Sequence, residues 1–212
     1  MTKPPDHAEI ADSLRRAYDS SAAQRDSAEL EPWKRAEQAH FLDLCRREGK
    51  KRLLEIGAGP GHASRYFQDH GLEVVCVDLS PVMVARCSEK GLTACAMDVL
   101  ALAFPADSFD AVFTLNSLLH IPKRHLPRAL ANIRAVLKPG GLFYMGVYGG
   151  PDSERVWEDD PLEPKRFFSF HSDEQLQQAA ADFFEILTFK RLPFPTTDAS
   201  IHFQSLLLRR AP

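Results

Sequence analysis

A short apolar run, Arg52 to Ile56, leads directly into Gly57-Ala58-Gly59-Pro60-Gly61, and the next residues, His62 to His70, have helical spacing closed by Gly71. Glycines at alternate positions let a backbone turn sharply and approach a ligand, and a helix opening at the far side offers N–H groups that no turn of its own uses. A strand, a glycine turn and a helix in this order predict an open parallel sheet with a ligand beyond the carboxyl end of its first strand.

The rest of the chain keeps that rhythm. Two helices come first, Ala8 to Tyr18 and Pro32 to Glu48, the second with proline at its start and Gly49 just past its end. Strands are expected at Glu73 to Asp78, Thr93 to Met97, Phe109 to Leu115 and Leu142 to Tyr148. Between them fall helices at Pro81 to Lys90, closed by Gly91, and at Leu126 to Leu137, ended by Lys138-Pro139-Gly140-Gly141. Gly149 to Phe170 reads as an irregular, aromatic-rich connection, and Ser172 caps a helix through about Ala181. Phe184 to Arg191 and His202 to Arg209 read as two final strands joined by a Pro-rich loop. Strands separated by helices pair in parallel through right-handed crossovers, whereas the last two suggest an antiparallel hairpin at one edge. The expected fold is a doubly wound α/β domain over residues 1–212, with a helical lid at 1–50, a ligand-binding core at 51–148 and a substrate-side connection and hairpin at 149–212.

Composition narrows the partners. A net charge of −3 gives no basic face for nucleic acid, and the pairs Arg15-Arg16, Arg46-Arg47 and Arg209-Arg210 and the run Lys50-Lys51-Arg52 read as scattered solvated charge. No apolar run reaches the length that spans a bilayer. Cys45, Cys76, Cys87 and Cys95 lack metal or redox spacing and read as reduced thiols in a cytoplasm, with Cys76 a core side chain. No metal site is expected, and Asp159-Asp160 reads as a solvated loop pair. A monomer or homodimer is expected.

The turn does not have the dinucleotide fingerprint, which wants glycine or alanine where His62 stands. Glu55, two residues before the first glycine, would repel a pyrophosphate but can accept from a cationic amino group. Glu55 through Gly61 resembles the E/D-x-G-x-G-x-G signature of the class I S-adenosylmethionine (SAM)-dependent methyltransferases, in their small-molecule branch. Asp78 resembles that family's acidic residue for the ribose hydroxyls, and Asp98-Val99 its adenine-contacting pair. Phe109 through His120 and Leu137 through Gly141 resemble its fourth strand and the turn before its fifth, so that the likeness runs from about residue 51 to 148. The family's strand order, 3-2-1-4-5-7-6, also ends in an antiparallel hairpin.

The resemblance implies SAM as cofactor, S-adenosylhomocysteine (SAH) as product and a small-molecule O, N or S nucleophile as acceptor. It implies cofactor contacts from Glu55, Gly57, Ala58, Gly59, Gly61, Asp78, Leu79, Ser80, Met83, Asp98, Val99 and Asn116, and from Tyr18 and Arg25 in the lid. Because charge is dispersed and not created in such a transfer, alignment and water exclusion can carry most of the catalysis, and a base is needed only for a protonated acceptor. His120, after the fourth strand, is the candidate base. Tyr148, Trp157, Phe167, Phe168, His171 and His202 are candidates for an aromatic acceptor pocket. The alternatives are a macromolecular acceptor, a SAM-binding protein without catalysis, and an NAD-linked oxidoreductase, which Glu55 and His62 oppose.

Overall fold

The structure is a computed structural model and describes residues 6–193 and 200–212. Two helices, α1 (His7–Ser27) and α2 (Pro32–Arg47), precede β1 (Arg52–Ile56), α3 (His62–Asp69), β2 (Glu73–Asp78), α4 (Pro81–Glu89) and β3 (Thr93–Ala96). Then follow β4 (Phe109–Leu115), α5 (Leu126–Val136), β5 (Leu137–Gly149), a ribbon of β6 (Ser153–Val156) and β7 (Phe167–Phe170), α6 (Asp173–Ala181), β8 (Glu185–Leu192) and β9 (His202–Arg209).

Seven strands form one sheet in the order β3-β2-β1-β4-β5-β9-β8, parallel except for β9, which is antiparallel to both neighbours. With β9 as the seventh strand of that sheet and β8 as the sixth, this is the expected order. The sequence runs outward from β1 through β2 to β3 and, in the other direction, from β4 to β5, so the order reverses between β1 and β4. A crevice opens at such a reversal because adjacent connections leave on opposite faces.

Strand alternation sorts the core. Leu54, Ile56, Val75, Val77, Val112, Phe143 and Met145 face α5 and α6, whereas Leu53, Val74, Phe113, Leu142 and Tyr144 face α2 and α3. Phe113 is fully buried and stacks on Tyr144 with ring centroids 4.7 Å apart. Burying such a ring contributes about 1.5–3 kcal/mol, so the central strands are held by both helical layers.

Three boundaries differ from the sequence reading, one of them at β5, which starts at Leu137 and not at Leu142, so that Lys138 to Gly141 lie within the strand. Helix α1 starts at a capping box, where Asp6 Oδ1 accepts from the Glu9 N–H at 2.9 Å, and continues past Tyr18 to Ser27. The last turns bury Ser21 and Ala22, side chains too small to show as hydrophobic periodicity. The connection from Gly149 to Phe170 is also more regular than expected, since β6 pairs antiparallel with β7. Ser153-Glu154-Arg155-Val156 has no apolar alternation to announce a strand, and all four residues of β7 are buried. The Pro-rich loop before β9 falls largely outside the described residues.

Candidate functional site

The glycine turn is held by β2. Gly57 and Ala58 both donate to the Val77 carbonyl, at 2.8 and 3.1 Å, and Gly59 donates to Asp78 Oδ2 at 2.8 Å. Two of its glycines do different things. At Gly61, the left-handed cap of α3, a Cβ would lie 2.7 Å from Leu92 Cδ1 and 2.9 Å from Cys87 Sγ, so hydrogen is needed there for packing. At Gly59, φ is +55° and a Cβ would meet no protein atom within 4 Å. That open space is the wall of a cleft.

The cleft measures about 740 Å³ with its solvent mouth and lies at the carboxyl ends of β1, β2 and β4. Nine of the fourteen residues expected to touch the cofactor line it: Tyr18, Arg25, Gly57, Gly59, Asp78, Leu79, Asp98, Val99 and Asn116. His120 lines it too. Asp78 is 8% exposed, and its two carboxylate oxygens accept from Gly59 and Ser80 N–H groups at 2.8 and 2.9 Å. Each oxygen keeps lone-pair capacity for one more donor. Burial raises the Asp78 pKa, against the backbone N–H groups and the Arg25 charge, which lower it.

Asp98 sits at the other end. Burial works against its charge, but the hydrogen bond with His7 and the Leu100 N–H hold its carboxyl below the usual range. His7 Nε2 lies 2.6 Å from Asp98 Oδ2. After β4, across β1 from both carboxylates, Asn116 takes a left-handed backbone at φ +57°, and its buried Oδ1 has no hydrogen-bond partner among the described residues. A buried acceptor left open in a cleft wall points to a donor on a ligand.

One face of α1 forms a wall of the cleft: His7, Ala11, Leu14, Tyr18 and Arg25 recur at helical spacing. The Tyr18 hydroxyl lies 2.6 Å from His120 Nε2, and His120 Nδ1 lies 2.7 Å from the Phe167 carbonyl. A carbonyl only accepts, so Nδ1 carries the hydrogen and Nε2 accepts from Tyr18. Burial, with the Arg166 and Arg25 charges added, pushes His120 down to about 3. Arg166 Nη1 donates to the Tyr18 oxygen at 3.0 Å, and its guanidinium is gripped by Asp160 through Nε and Nη2, each at 2.7 Å.

Other expectations are not met by this geometry. Glu55 does not line the cleft; strand alternation turns it away from Ile56, and it accepts from Ser64 Oγ on α3 with 4% of its surface exposed. Burial pushes its carboxyl up to about 8, against the Ser64 hydroxyl, which lowers it. Ala58 packs with Cys76, Cys87 and Leu92 behind the turn. Gly61 is spent on that packing, Ser80 Oγ caps the Met83 N–H of α4 at 3.0 Å, and Met83 is buried.

The six-residue aromatic acceptor pocket does not line the cleft either. Phe167 packs on Ile10 and Leu14, Trp157 on Phe168 and Phe170, and Tyr148 on Trp33 and Phe203. His171 is buried, and burial pushes it down to about 4. His202 is bound to Asp173 at 2.7 Å. Asp160, expected as solvated charge, is 3% exposed and paired with Arg166. His7, Ala11, Leu14, Met97, Ser117 and Ile121 line the cleft without having been singled out. The α1 residues were detectable in principle, as the stripe that continues from Tyr18.

Among the described residues, no group of three or more His, Cys, Asp or Glu is placed to hold a metal, and no helix is long and apolar enough to cross a membrane.

Residues 53–141 match the family model described as a methyltransferase domain. The demethylmenaquinone methyltransferase of Renibacterium salmoninarum is 29% identical over 70% of this chain and 61% of its own length. The S-adenosyl-L-methionine-dependent Diels-Alderase iccD of Talaromyces variabilis is 36% identical over 43% of this chain and 34% of its own. Matches to curated relatives span from 34% to 62% of those proteins' lengths. Among solved structures, the Burkholderia thailandensis 1,6-didemethyltoxoflavin-N1-methyltransferase, with 1,6-didemethyltoxoflavin and S-adenosylhomocysteine bound, superposes with a TM-score of 0.79. It is 25% identical, over 100% of this chain and 93% of that one.

Proposed function

We propose that the chain is a class I SAM-dependent methyltransferase that binds SAM in the cleft and methylates a small molecule at O, N or S, a reading that its similarity to such enzymes supports. The observation that carries the reading is the pairing of Gly59, whose missing side chain leaves the cleft wall open, with Asp78, one of whose oxygens is aimed by that turn and the other by the Ser80 N–H.

SAM supplies, when bound, a methyl carbon activated by a cationic sulfur. The residues present suit it. Asp78 has capacity for a pair of hydroxyls, Asp98 and Val99 lie where a base edge is expected, and Asn116 Oδ1 is an open acceptor. The Arg25 guanidinium lies 5.0 Å from the Tyr18 ring centroid and, among the described residues, forms no ion pair, which leaves it for a carboxylate. The chain's contribution is alignment and removal of water: Leu14, Ile56, Leu79 and Ile121 give the cleft apolar walls.

His120 is a poor base in this arrangement. Its Nε2 is already engaged, and moving its pKa from the ordinary 6.5 to about 3 makes proton uptake costlier by about 5 kcal/mol. The acceptor therefore reacts neutral or already ionised. We include in the proposal one domain over 1–212 with α1 as lid, and a cytoplasmic setting, which the free cysteines Cys45, Cys76, Cys87 and Cys95 support.

Calorimetric titration with SAM, SAH and NADH tests the reading. Micromolar binding of the first two and none of NADH is expected; no binding of either sulfur compound refutes it. The Diels-Alderase relative and the engaged His120 favour a second reading, SAM binding without methyl transfer. Tight SAM binding with no SAH formed on a broad panel of small nucleophiles would establish it.

A further inference from the structure

We propose that Arg166, braced by Asp160, is a positioning residue that fixes the Tyr18 hydroxyl so that its free lone pair receives an N–H or O–H of the methyl acceptor. The proposal rests on the reading of the chain as a methyltransferase and adds the acceptor's chemical class and the residue that meets it.

Proton direction along the chain of contacts carries the argument. Arg166 has only donors, so its 3.0 Å contact occupies one lone pair of Tyr18 Oη. His120 Nδ1 faces a carbonyl at 2.7 Å, so its Nε2 is an acceptor and the Tyr18 proton must point at it, 2.6 Å away. Every hydrogen from Arg166 to the Phe167 carbonyl is thereby assigned. Tyr18, in the cleft wall, retains one lone pair and no hydrogen to offer. The ligand group that satisfies it is a donor.

Asp160 makes the arrangement rigid. It is buried, and it takes Nε and Nη2 of Arg166 as a fork while the Arg166 backbone N–H binds the same carboxylate at 3.0 Å. The pair is close to neutral as a unit, so it gives Tyr18 a direction without placing an uncompensated charge beside the acceptor. Neither Arg166 nor Asp160 lines the cleft, so removing the clamp takes away no contact with SAM.

The step balances simply. The acceptor's lone pair forms the bond to the methyl carbon, the carbon–sulfur bond breaks with its electrons left on sulfur, and the acceptor's proton leaves to water with the product. As the nucleophile gives up electron density its N–H or O–H becomes a stronger donor, so the hydrogen bond to Tyr18 tightens in the transition state more than in the bound state. His120, held neutral, keeps Tyr18 turned and takes no proton.

The test measures binding as well as turnover. With the protein saturated with SAH, calorimetry compares benzimidazole with N-methylbenzimidazole and phenol with anisole, pairs alike in shape of which only the first member carries the hydrogen. The N–H and O–H members should bind at least about tenfold more tightly, a preference lost in both Tyr18→Phe and Arg166→Gln and partly restored in Arg166→Lys. SAH affinity should stay within about threefold in Arg166→Gln and Arg166→Lys, and kcat for any acceptor found should fall about tenfold or more in Arg166→Gln with the KM for SAM little changed. Equal binding of the paired probes, no binding of any probe, or a preference that survives Arg166→Gln would overturn the proposal while leaving the methyltransferase reading intact. Failure of the wild-type protein to bind SAH would overturn both.

Discussion

Adding one methyl group at either of two glycines in the same turn should produce opposite phenotypes. In Gly59→Ala the new Cβ meets no protein atom within 4 Å, and the only folding cost is holding an L-residue at φ +55°, about 1–2 kcal/mol. In Gly61→Ala the φ of +88° adds a similar strain, and the Cβ also strikes Leu92 Cδ1 at 2.7 Å and Cys87 Sγ at 2.9 Å in a closed cluster. Overpacking of that kind costs about 1–3 kcal/mol more. For a chain of this size about 1 kcal/mol corresponds to about 2–4 °C in Tm. Gly59→Ala should therefore lose about 2–8 °C, and Gly61→Ala about 4–20 °C. Ligand affinity should reverse the order, because the Gly59 methyl occupies the cleft and the Gly61 methyl faces away from it. Thermal unfolding and SAH calorimetry on both variants read the two quantities separately, with SAH affinity falling at least about tenfold in Gly59→Ala and staying within about threefold in folded Gly61→Ala. Gly59→Ala with wild-type affinity would falsify the placement of the ligand against this turn.

Asp78→Ala should weaken SAH binding by about a hundredfold or more and cost stability as well, since the Gly59 and Ser80 N–H groups lose their acceptor at about 1–3 kcal/mol each if water cannot replace it. Glu55→Gln should instead stabilise. The folded carboxyl titrates near 8 against an ordinary 4.5, so stability present below pH 4.5 is lost as pH rises toward 8, and the amide removes that loss. The gain near neutral pH should be about 1–3 kcal/mol with SAH affinity unchanged, and a large loss of SAH affinity would restore Glu55 to the cofactor site. The histidines act on the acid side. With folded values of about 3 for His120 and about 4 for His171, both below the ordinary 6.5, stability is complete above 6.5 and falls as pH drops through that window. Each should account for about 2 kcal/mol between pH 7 and pH 5, and His120→Gln should flatten its share of that slope in denaturant titrations at the two pH values.

Glycine placement and alternating strands made the sheet legible, because a parallel sheet buried on both faces writes continuous apolar runs such as Val74 to Val77 into the sequence. The same regularity located Gly59, Asp78 and Asp98 at strand ends, where the fold puts ligands. Glu55 shows the limit: its position in the motif was visible, but the direction of its side chain depends on the pleat, and the pleat faces it toward Ser64. The Arg166–Asp160 pair was hidden for another reason. It acts on Tyr18, 148 residues away in sequence, and through Tyr18 on His120, and no local pattern joins the three. Buried aromatics carry no mark that separates a pocket from a core, so Phe167, Phe168 and Trp157 read as candidates and turn out to pack against one another or against α1.

Helix α1 is a single rod of 21 residues, about 30 Å long at 1.5 Å per residue, and it touches the cleft at both ends. His7 occupies Asp98 Oδ2 at one end, where the adenine amino group is expected, while Tyr18 meets the acceptor region near the other. If the adenine amino group takes that oxygen, cofactor entry should exchange one hydrogen bond on Asp98 for another, an exchange expected to slow entry more than it changes affinity. Association of SAM should be well below the diffusion limit, and His7→Ala should raise the association and dissociation rates together, a signature that stopped-flow fluorescence of Trp33 or Trp157 can resolve. An acceptor seated against Tyr18 holds the same rod in place at its far end, so product SAH should leave only after the methylated product does.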